Sequence, residues 1–419
     1  MDIADLMARR ERAFGAGAQL FYEHPLHLVR GEGVWLWDAD GRRYLDMYNN
    51  VPCVGHAHPA VAEAMARQQA MLNTHNRYLH EAIVAFAERL ASLHGPQIES
   101  VVFACTGTEA IEIALRMARF ATGRRGIIGT NATYHGNSEL VGALSRTGEA
   151  QPRDPELRTF PFPQTYRAPT DSSFYLAALD AAIASLAASG AGLAALILCP
   201  ILANEGLPNV PAGFMAEAAK RVRAAGGLVI ADEVQAGYGR TGRWWGYDLA
   251  GFTPDIVVTG KPMGAGLPLS AAAAGRKLVE AFRAATRYFN TFASSPLQAA
   301  VGMAVLDVIE TEGLIDNVRI VGSELKTALA QRIDASPYIG EVRGAGLFIG
   351  IEMVEDKTGK TPDRARAIWL VNRLKDLGYL TSNAGAFGNV VKIRPPLCFS
   401  QVNADAFLGA WDQAVAELA

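Results

Sequence analysis

Three short stretches place side chains where chemistry could be done. Cys105-Thr106-Gly107-Thr108-Glu109-Ala110 follows the apolar run Val101–Ala104 and opens a helical pattern. The first N–H groups of a helix lack partners within it and gather anions, and a glycine there lets a phosphate approach closely. Thr106 and Glu109 also fit an S/T-x-x-E capping box, and the two roles are compatible. Leu228-Val-Ile-Ala-Asp232-Glu233-Val234-Gln235 sets two acids straight after an apolar strand, at the carboxyl edge where open α/β sheets bind ligands. A carboxylate there could hold a proton on a ligand's ring nitrogen; Glu233 suits a solvated loop acid. In Asp255-Ile-Val-Val-Thr-Gly260-Lys261-Pro-Met-Gly264, one lysine ends an apolar strand within a Gly/Pro-rich loop. Desolvation lowers a lysine's pKa and makes it an imine-forming nucleophile.

Two other readings fail on context. Lys261 is not a P-loop lysine, because Pro262 stands where Ser or Thr is needed and Asp255 where the leading glycine is needed. Gly237-Tyr-Gly239-Arg-Thr-Gly242 spells G-x-G-x-x-G, but no helix is expected after it, since Arg243-Trp244-Trp245-Gly246 is a poor helix start.

The elements that would position these residues alternate from residue 100 onward. Strand-like runs are Val101–Ala104, Gly126–Thr130, Leu193–Ile201, Leu228–Ala231, Ile256–Thr259 and Ser270–Ala274, with helical segments such as 110–122 and 214–225 between them. Apolar strands separated by helices imply a largely parallel sheet covered on both faces. Before it, Gly33–Asp46 reads as a hairpin turning at Asp40-Gly41, with helices at about 59–73 and 81–94. After 300 come a long helix, a hairpin-like region at 341–354, a helix over 364–377, a strand at 390–394 and a last helix. The expected division is a small-domain segment over 1–54, a large domain over 55–300 and the rest of the small domain over 301–419. The chain has 419 residues, half of them hydrophobic, and 39 Lys plus Arg against 42 acids, for a net charge of −3. That balance offers no basic field for nucleic acid or an anionic membrane. Leu193–Cys199 and Leu269–Ala274 are far short of the roughly 20 residues of a membrane span. The acidic start Met1–Asp5 does not read as a secretory signal, and Cys53, Cys105, Cys199 and Cys398 are too scattered for a metal site or a disulfide framework. The expected location is the cytoplasm, with no metal.

A phosphate cradle, a strand-end acid and a strand-end lysine are what pyridoxal 5′-phosphate (PLP) requires. The stretches Asp232–Gly242 and Thr259–Ser270 resemble the class III (ω-type) aminotransferases of PLP fold type I, and the likeness runs from the Trp35–Asp46 hairpin through Gly55-His-Ala-His-Pro59 to Pro395-Pro-Leu397. The resemblance implies an α/β fold whose large domain has a mostly parallel sheet sandwiched by helices, beside a smaller α+β domain from both chain ends. It implies a Schiff base on Lys261, Asp232 at the pyridine nitrogen, Val234 against the ring and Gln235 near the ring hydroxyl. Thr106-Gly107-Thr108 stands where the family has a phosphate-binding Ser-Gly-Ser/Thr, and Tyr134 of Tyr134-His135-Gly136 where an aromatic ring stacks on the cofactor. Thr291 matches a threonine that reaches the phosphate from a neighbouring subunit, implying a homodimer with shared active sites. The implied reaction moves an amino group from an amine or amino acid to a keto acid or aldehyde.

Where many members carry Glu-Pro, this chain has Cys199-Pro200, followed by Ile201-Leu-Ala-Asn-Glu205-Gly206. Leu20-Phe-Tyr-Glu23, Met47-Tyr-Asn-Asn50 and Asn76-Arg-Tyr-Leu-His80 are similar to a subgroup holding alanine–glyoxylate aminotransferase 2-like proteins and phospho-lyases of amino-alcohol phosphates. The alternative reaction is therefore expulsion of a β-phosphate. Lys392 and Arg394 are read as pointing to opposite faces of a strand, with Arg394 as the cation for a substrate carboxylate or phosphate. Tyr22 is a further candidate for the pocket wall. His56 and His58 are read as turn histidines rather than a metal pair.

Overall fold

The computed structural model describes residues 3–148, 150–167 and 171–418; Met1 and Asp2 of the acidic start lie outside them. β1 (Leu28–Glu32), β2 (Trp35–Asp38) and β3 (Arg43–Asp46) form an antiparallel meander. The Asp40-Gly41 turn forms where expected. Asp38 Oδ1 accepts the N–H groups of Asp40 and Arg42, and Gly41 takes φ +83°, a region open to glycine.

The large sheet comprises β4 (Ser100–Ala104), β5 (Gly126–Thr130), β6 (Leu157–Phe160), β7 (Leu193–Leu198), β8 (Leu228–Asp232), β9 (Ile256–Thr259) and β10 (Ser270–Ala274). Its order is β4-β10-β9-β8-β7-β5-β6. All neighbours run parallel except β10, which is antiparallel to β4 and β9. β5, β7, β9 and β10 are buried at every residue, as a sheet covered on both faces demands. Successive side chains alternate between two cores: Ile230 faces one that includes Ile111 and Leu115, while Val229 and Ala231 face the other, which includes Phe214 and Met215. β6 and the helix Ser173–Ala188 had no clear sequence signal, because β6 is short and the alanine-rich helix has no single apolar stripe.

The last strands are β11 (Ile339–Ala345), β12 (Phe348–Met353), β13 (Tyr379–Leu380), β14 (Ser382–Ala384) and β15 (Val390–Ile393). Four of them make an antiparallel sheet in the order β11-β12-β15-β14, and β13 joins β3 in parallel. Both ends of the chain thus share one small sheet. Among the described residues no helix is long and apolar enough to cross a membrane.

Candidate active site

The carboxyl ends of β8 and β9 and the start of the helix Gly107–Thr122 converge on a cavity of about 170 Å³. Of the sequence candidates, Gly107, Thr108, Tyr134, Asp232, Val234, Gln235 and Lys261 line it; Thr106, Tyr22, Thr291 and Arg394 do not. His135, Gly136, Cys199 and Asn204 complete the lining.

The cradle is closed by small residues. Thr106 Oγ1 caps the helix by accepting the Glu109 N–H at 3.2 Å, but Glu109 Oε2 turns back to the Cys105 N–H at 2.8 Å, one residue earlier than a capping box requires. A Cβ on Gly107 would lie 3.3 Å from both Val234 methyls, and one on Gly136 only 2.6 Å from Thr108 Oγ1. Larger residues at either place would fill the space a planar ligand needs.

Asp232 is held from two sides. Its Oδ1 accepts the Val234 N–H at 3.0 Å, and Oδ2 lies 2.6 Å from His135 Nδ1. His135 Nε2 is 2.6 Å from Thr133 Oγ1, so a ring donating from Nδ1 takes the threonine proton at Nε2. Sequence reasoning missed His135, although the Tyr-His-Gly motif puts it beside the stacking tyrosine. Lys261 opens a short 3-10 turn after β9. Burial lowers its pKa, Asp232 opposes that and Arg394 adds to it, which favours the neutral, nucleophilic amine. Glu233 is not a solvated loop acid. It is fully buried, its oxygens accept the N–H groups of Gly246 and Tyr247 at 2.9 and 2.8 Å, and burial pushes its pKa up to about 8. It caps the short helix Gly246–Ala250, which the sequence reading did not expect. In the G-x-G-x-x-G decoy, buried Arg240 ties the turn to Asn50 and to the carbonyls of Leu347 and Pro395.

Behind the lining on the far side, at the end of β15, the structure differs from expectation. Lys392 and Arg394 are two apart on a strand and so share a face, and both lie over the Phe348 ring. Arg394 is engaged, donating Nη1–H to Gln235 Oε1 and Nε–H to the Tyr48 carbonyl. Lys392 is 4% exposed, and among the described residues no hydrogen bond or ion pair reaches its ammonium. Burial holds its pKa well below the usual ammonium range, with Arg394 adding to that. Gln235 Nε2 donates to Asn204 Oδ1 at 3.1 Å. Glu205 is buried with Oε1 bound to the Thr130 hydroxyl and, among the described residues, Oε2 without a hydrogen-bond partner. Cys199 lies at the cavity edge, its thiol pKa raised by burial.

The remaining candidates sit farther out. Tyr22, held at φ +65°, donates its hydroxyl to the Thr381 carbonyl at 2.9 Å and lines a recess of about 600 Å³ with Tyr48. Thr291 is exposed and makes no hydrogen bond among the described residues. His56 and His58 turn to different acids, Asp46 at 2.7 Å and Glu312 at 3.0 Å.

This donor set fits PLP. Helix N–H groups and Thr108 stand for a phosphate, Asp232 for a ring N–H, Val234 and Tyr134 for the ring faces and Lys261 for an aldehyde. Residues 19–415 match the family model described as aminotransferase class-III. The alanine–glyoxylate aminotransferase 2-like protein of Drosophila melanogaster is 38% identical over 418 residues, covering 95% of this chain and 84% of the relative. Ethanolamine-phosphate phospho-lyase homolog 1 of Caenorhabditis elegans is 32% identical over 435 residues, covering 98% and 93%. Among solved structures, an Arthrobacter phospholyase in complex with phosphoethanolamine superposes with TM-score 0.96 at 40% identity, over 99% of this chain and 100% of the other. A Bacillus anthracis aminotransferase superposes with TM-score 0.90 at 28% identity, over the whole of both chains.

Proposed function

The chain belongs to the class-III aminotransferase family and is by that membership a PLP-dependent transaminase, and from this premise we propose how its own residues divide the reaction. The observation that carries the proposal is a lysine amine sharing one small cavity with a carboxylate fixed by two partners. When bound, the cofactor supplies an aldehyde that condenses with amines and a ring that draws electrons from the bonds around the substrate's Cα. Lys261 holds that aldehyde between turnovers. Freed from it by the donor amine, its Nζ would be the group to carry the proton between the substrate's Cα and the cofactor's C4′. Asp232 keeps the ring nitrogen protonated, and His135 keeps Asp232 oriented. Thr106, Gly107 and Thr108 hold the phosphate, Val234 and Tyr134 fix the ring plane, and the free N–H of the Gln235 amide meets the ring oxygen. A keto acid or aldehyde then accepts the amino group.

The wall supports an anionic group on the substrate. Neither Lys392 nor Arg394 lines the cavity itself, but Lys392, whose ammonium has no hydrogen-bond partner among the described residues, is freer to receive it than Arg394, whose donors hold Gln235 and Tyr48. Tyr22 shapes the outer approach. The same cation gives weight to a second reading, a phospho-lyase in which Lys261 removes the Cα proton and a β-phosphate departs, as does the likeness to a phospholyase at 40% identity. One experiment separates them. Transamination consumes an acceptor and shifts the cofactor's absorbance to its amine form in a half-reaction; lysis of ethanolamine phosphate releases inorganic phosphate without any acceptor. Neither signal with a panel of amines and amino-alcohol phosphates would refute both.

A homodimer with shared sites completes the proposal. Thr291 is exposed in its own chain beside Phe292, and Leu79, Met71 and Tyr78 are also bare, so a second copy would cover apolar surface and bring Thr291 to its partner's phosphate. Sedimentation of apo and holo protein tests this. The small domain is taken as 1–54 with 301–419 and the large domain as 55–300. Four free cysteines suit a cytoplasmic location, which cell fractionation can check.

A further inference from the structure

The amide that faces the ring is held from outside the cavity. Gln235 leans on Asn204, and Asn204 Nδ2 donates to the Tyr134 carbonyl at 3.0 Å. Asn204 sits in a loop after β7 that is bent against its own preferences. Leu202 and Leu207 take φ of +48° and +58°, with Gly206 at +102° between them. Leucine persists in that region only where its surroundings over-determine it. Those surroundings belong to the small sheet. Arg343 of β11, buried, donates Nε–H to the Gly206 carbonyl at 2.8 Å and pairs with Glu341 at 3.0 Å and with Glu352. Glu352 is fixed in turn by Arg167 and Asn389. A Cβ on Gly206 would lie 2.9 Å from Val390 Cγ2 and 3.2 Å from Arg343 Nη2, so the loop is pressed onto that sheet.

We propose that Arg343 is a positioning residue for the reaction: by pinning the Gly206 carbonyl it holds Asn204, and through Asn204 the Gln235 amide and the Tyr134 backbone, against the cofactor. The inference rests on the reading that Gln235 and Tyr134 face the ring. A guanidinium reaches the carbonyl through Nε and Glu352 through Nη2; an ammonium, with all its donors on one atom, has no such fork to span the two. Arg167 is a built-in control, because it pairs with the same Glu352 but donates to the Lys360 carbonyl rather than to the loop.

The test compares holoenzymes of Arg343→Lys, Arg343→Gln, Arg167→Met and Gln235→Ala. Each is measured for thermal midpoint, PLP dissociation, the pH titration of the bound cofactor's visible band, and kcat and KM. Both Arg343 variants are expected to displace the titration midpoint in the direction Gln235→Ala displaces it, with PLP retention and kcat each about tenfold lower, the scale of a small misplacement in a site. Arg167→Met is expected to lose thermal stability with its titration and kcat within about twofold of wild type. A wild-type titration in whichever Arg343 variant folds, beside a shifted Gln235→Ala, overturns the inference, as does an Arg167→Met that reproduces the shift. An unshifted Gln235→Ala overturns instead the reading on which the inference rests.

Discussion

The floor of the cavity and its loop wall are built on different terms. On the floor, buried strands end in short turns and the carboxylate of Asp232 has fixed partners in Val234 and His135, while Thr106 beside it caps the helix through Glu109. On the wall, the chain between Cys199 and Leu207 bends through two left-handed leucines, and Glu205 Oε2 is buried without a partner. Lys392 stands near Glu205, and its ammonium too has no hydrogen-bond partner among the described residues. Unpaired buried polar groups are destabilising, and folds keep them where a ligand completes them. On the proposed reading, the floor carries what every amine substrate needs, and the wall carries the choice among amines.

That division can be broken at four points. Lys261→Ala should reduce turnover by roughly 10⁴-fold and remove the borohydride-reducible adduct, since Lys261 is the lysine among the residues lining the cavity; an adduct that survives would place the nucleophile elsewhere. Asp232→Asn should still bind PLP yet lose roughly 10²–10³-fold in kcat, because an amide cannot keep the ring nitrogen protonated. Activity within a few-fold of wild type would remove Asp232 from that role.

The wall should respond in binding rather than in chemistry. Lys392→Gln should raise KM for anionic donors about 10- to 100-fold, with a smaller change in kcat, as expected for losing a charged partner. Its pH dependence has a definite sign. The ammonium form attracts the anion, and burial lowers the pKa, so donor affinity should be greatest at low pH and fall as pH rises through that lowered value. In Lys392→Gln that fall should vanish; a KM profile identical to wild type would sever Lys392 from the substrate. The smallest effect concerns the facing chain. Thr291→Ala should weaken PLP binding by about 1–2 kcal/mol, the scale of one hydrogen bond to a charged group, and apo protein should dimerise less tightly than holo. Unchanged PLP titrations and sedimentation would confine the phosphate site to one chain.

The same contrast explains what the sequence made legible. The floor was readable because its signals are local: an apolar strand, then an acid, a glycine or a lysine at the strand's end. The seven-stranded sheet followed from those runs, apart from β6 and the antiparallel course of β10, which no residue pattern marks. The wall was unreadable because its geometry depends on partners far along the chain. Asn204 is meaningful only beside Gln235, and Gly206 only beneath Arg343. Glu233 misled for the opposite reason. An acid after a strand suggests solvent, and only the backbone of Gly246 and Tyr247 folded over it makes burial tolerable. With Lys392 and Arg394 the period-two rule of strands was misapplied, and their common place over Phe348 is what that rule requires.

The two-residue strand β13, parallel to β3, has a consequence for how the chain is made. At about 5–20 residues per second, the ribosome delivers Tyr379 roughly 20–70 s after Asp46 has emerged. Through that interval the Trp35–Asp46 hairpin lacks its last neighbour, while the central sheet can assemble as its strands appear. The open edge of β3 is then a ready template for another chain's strand. The newborn protein therefore carries an unpaired strand edge there, and a holdase that shields the first fifty residues would cover it until β13 arrives.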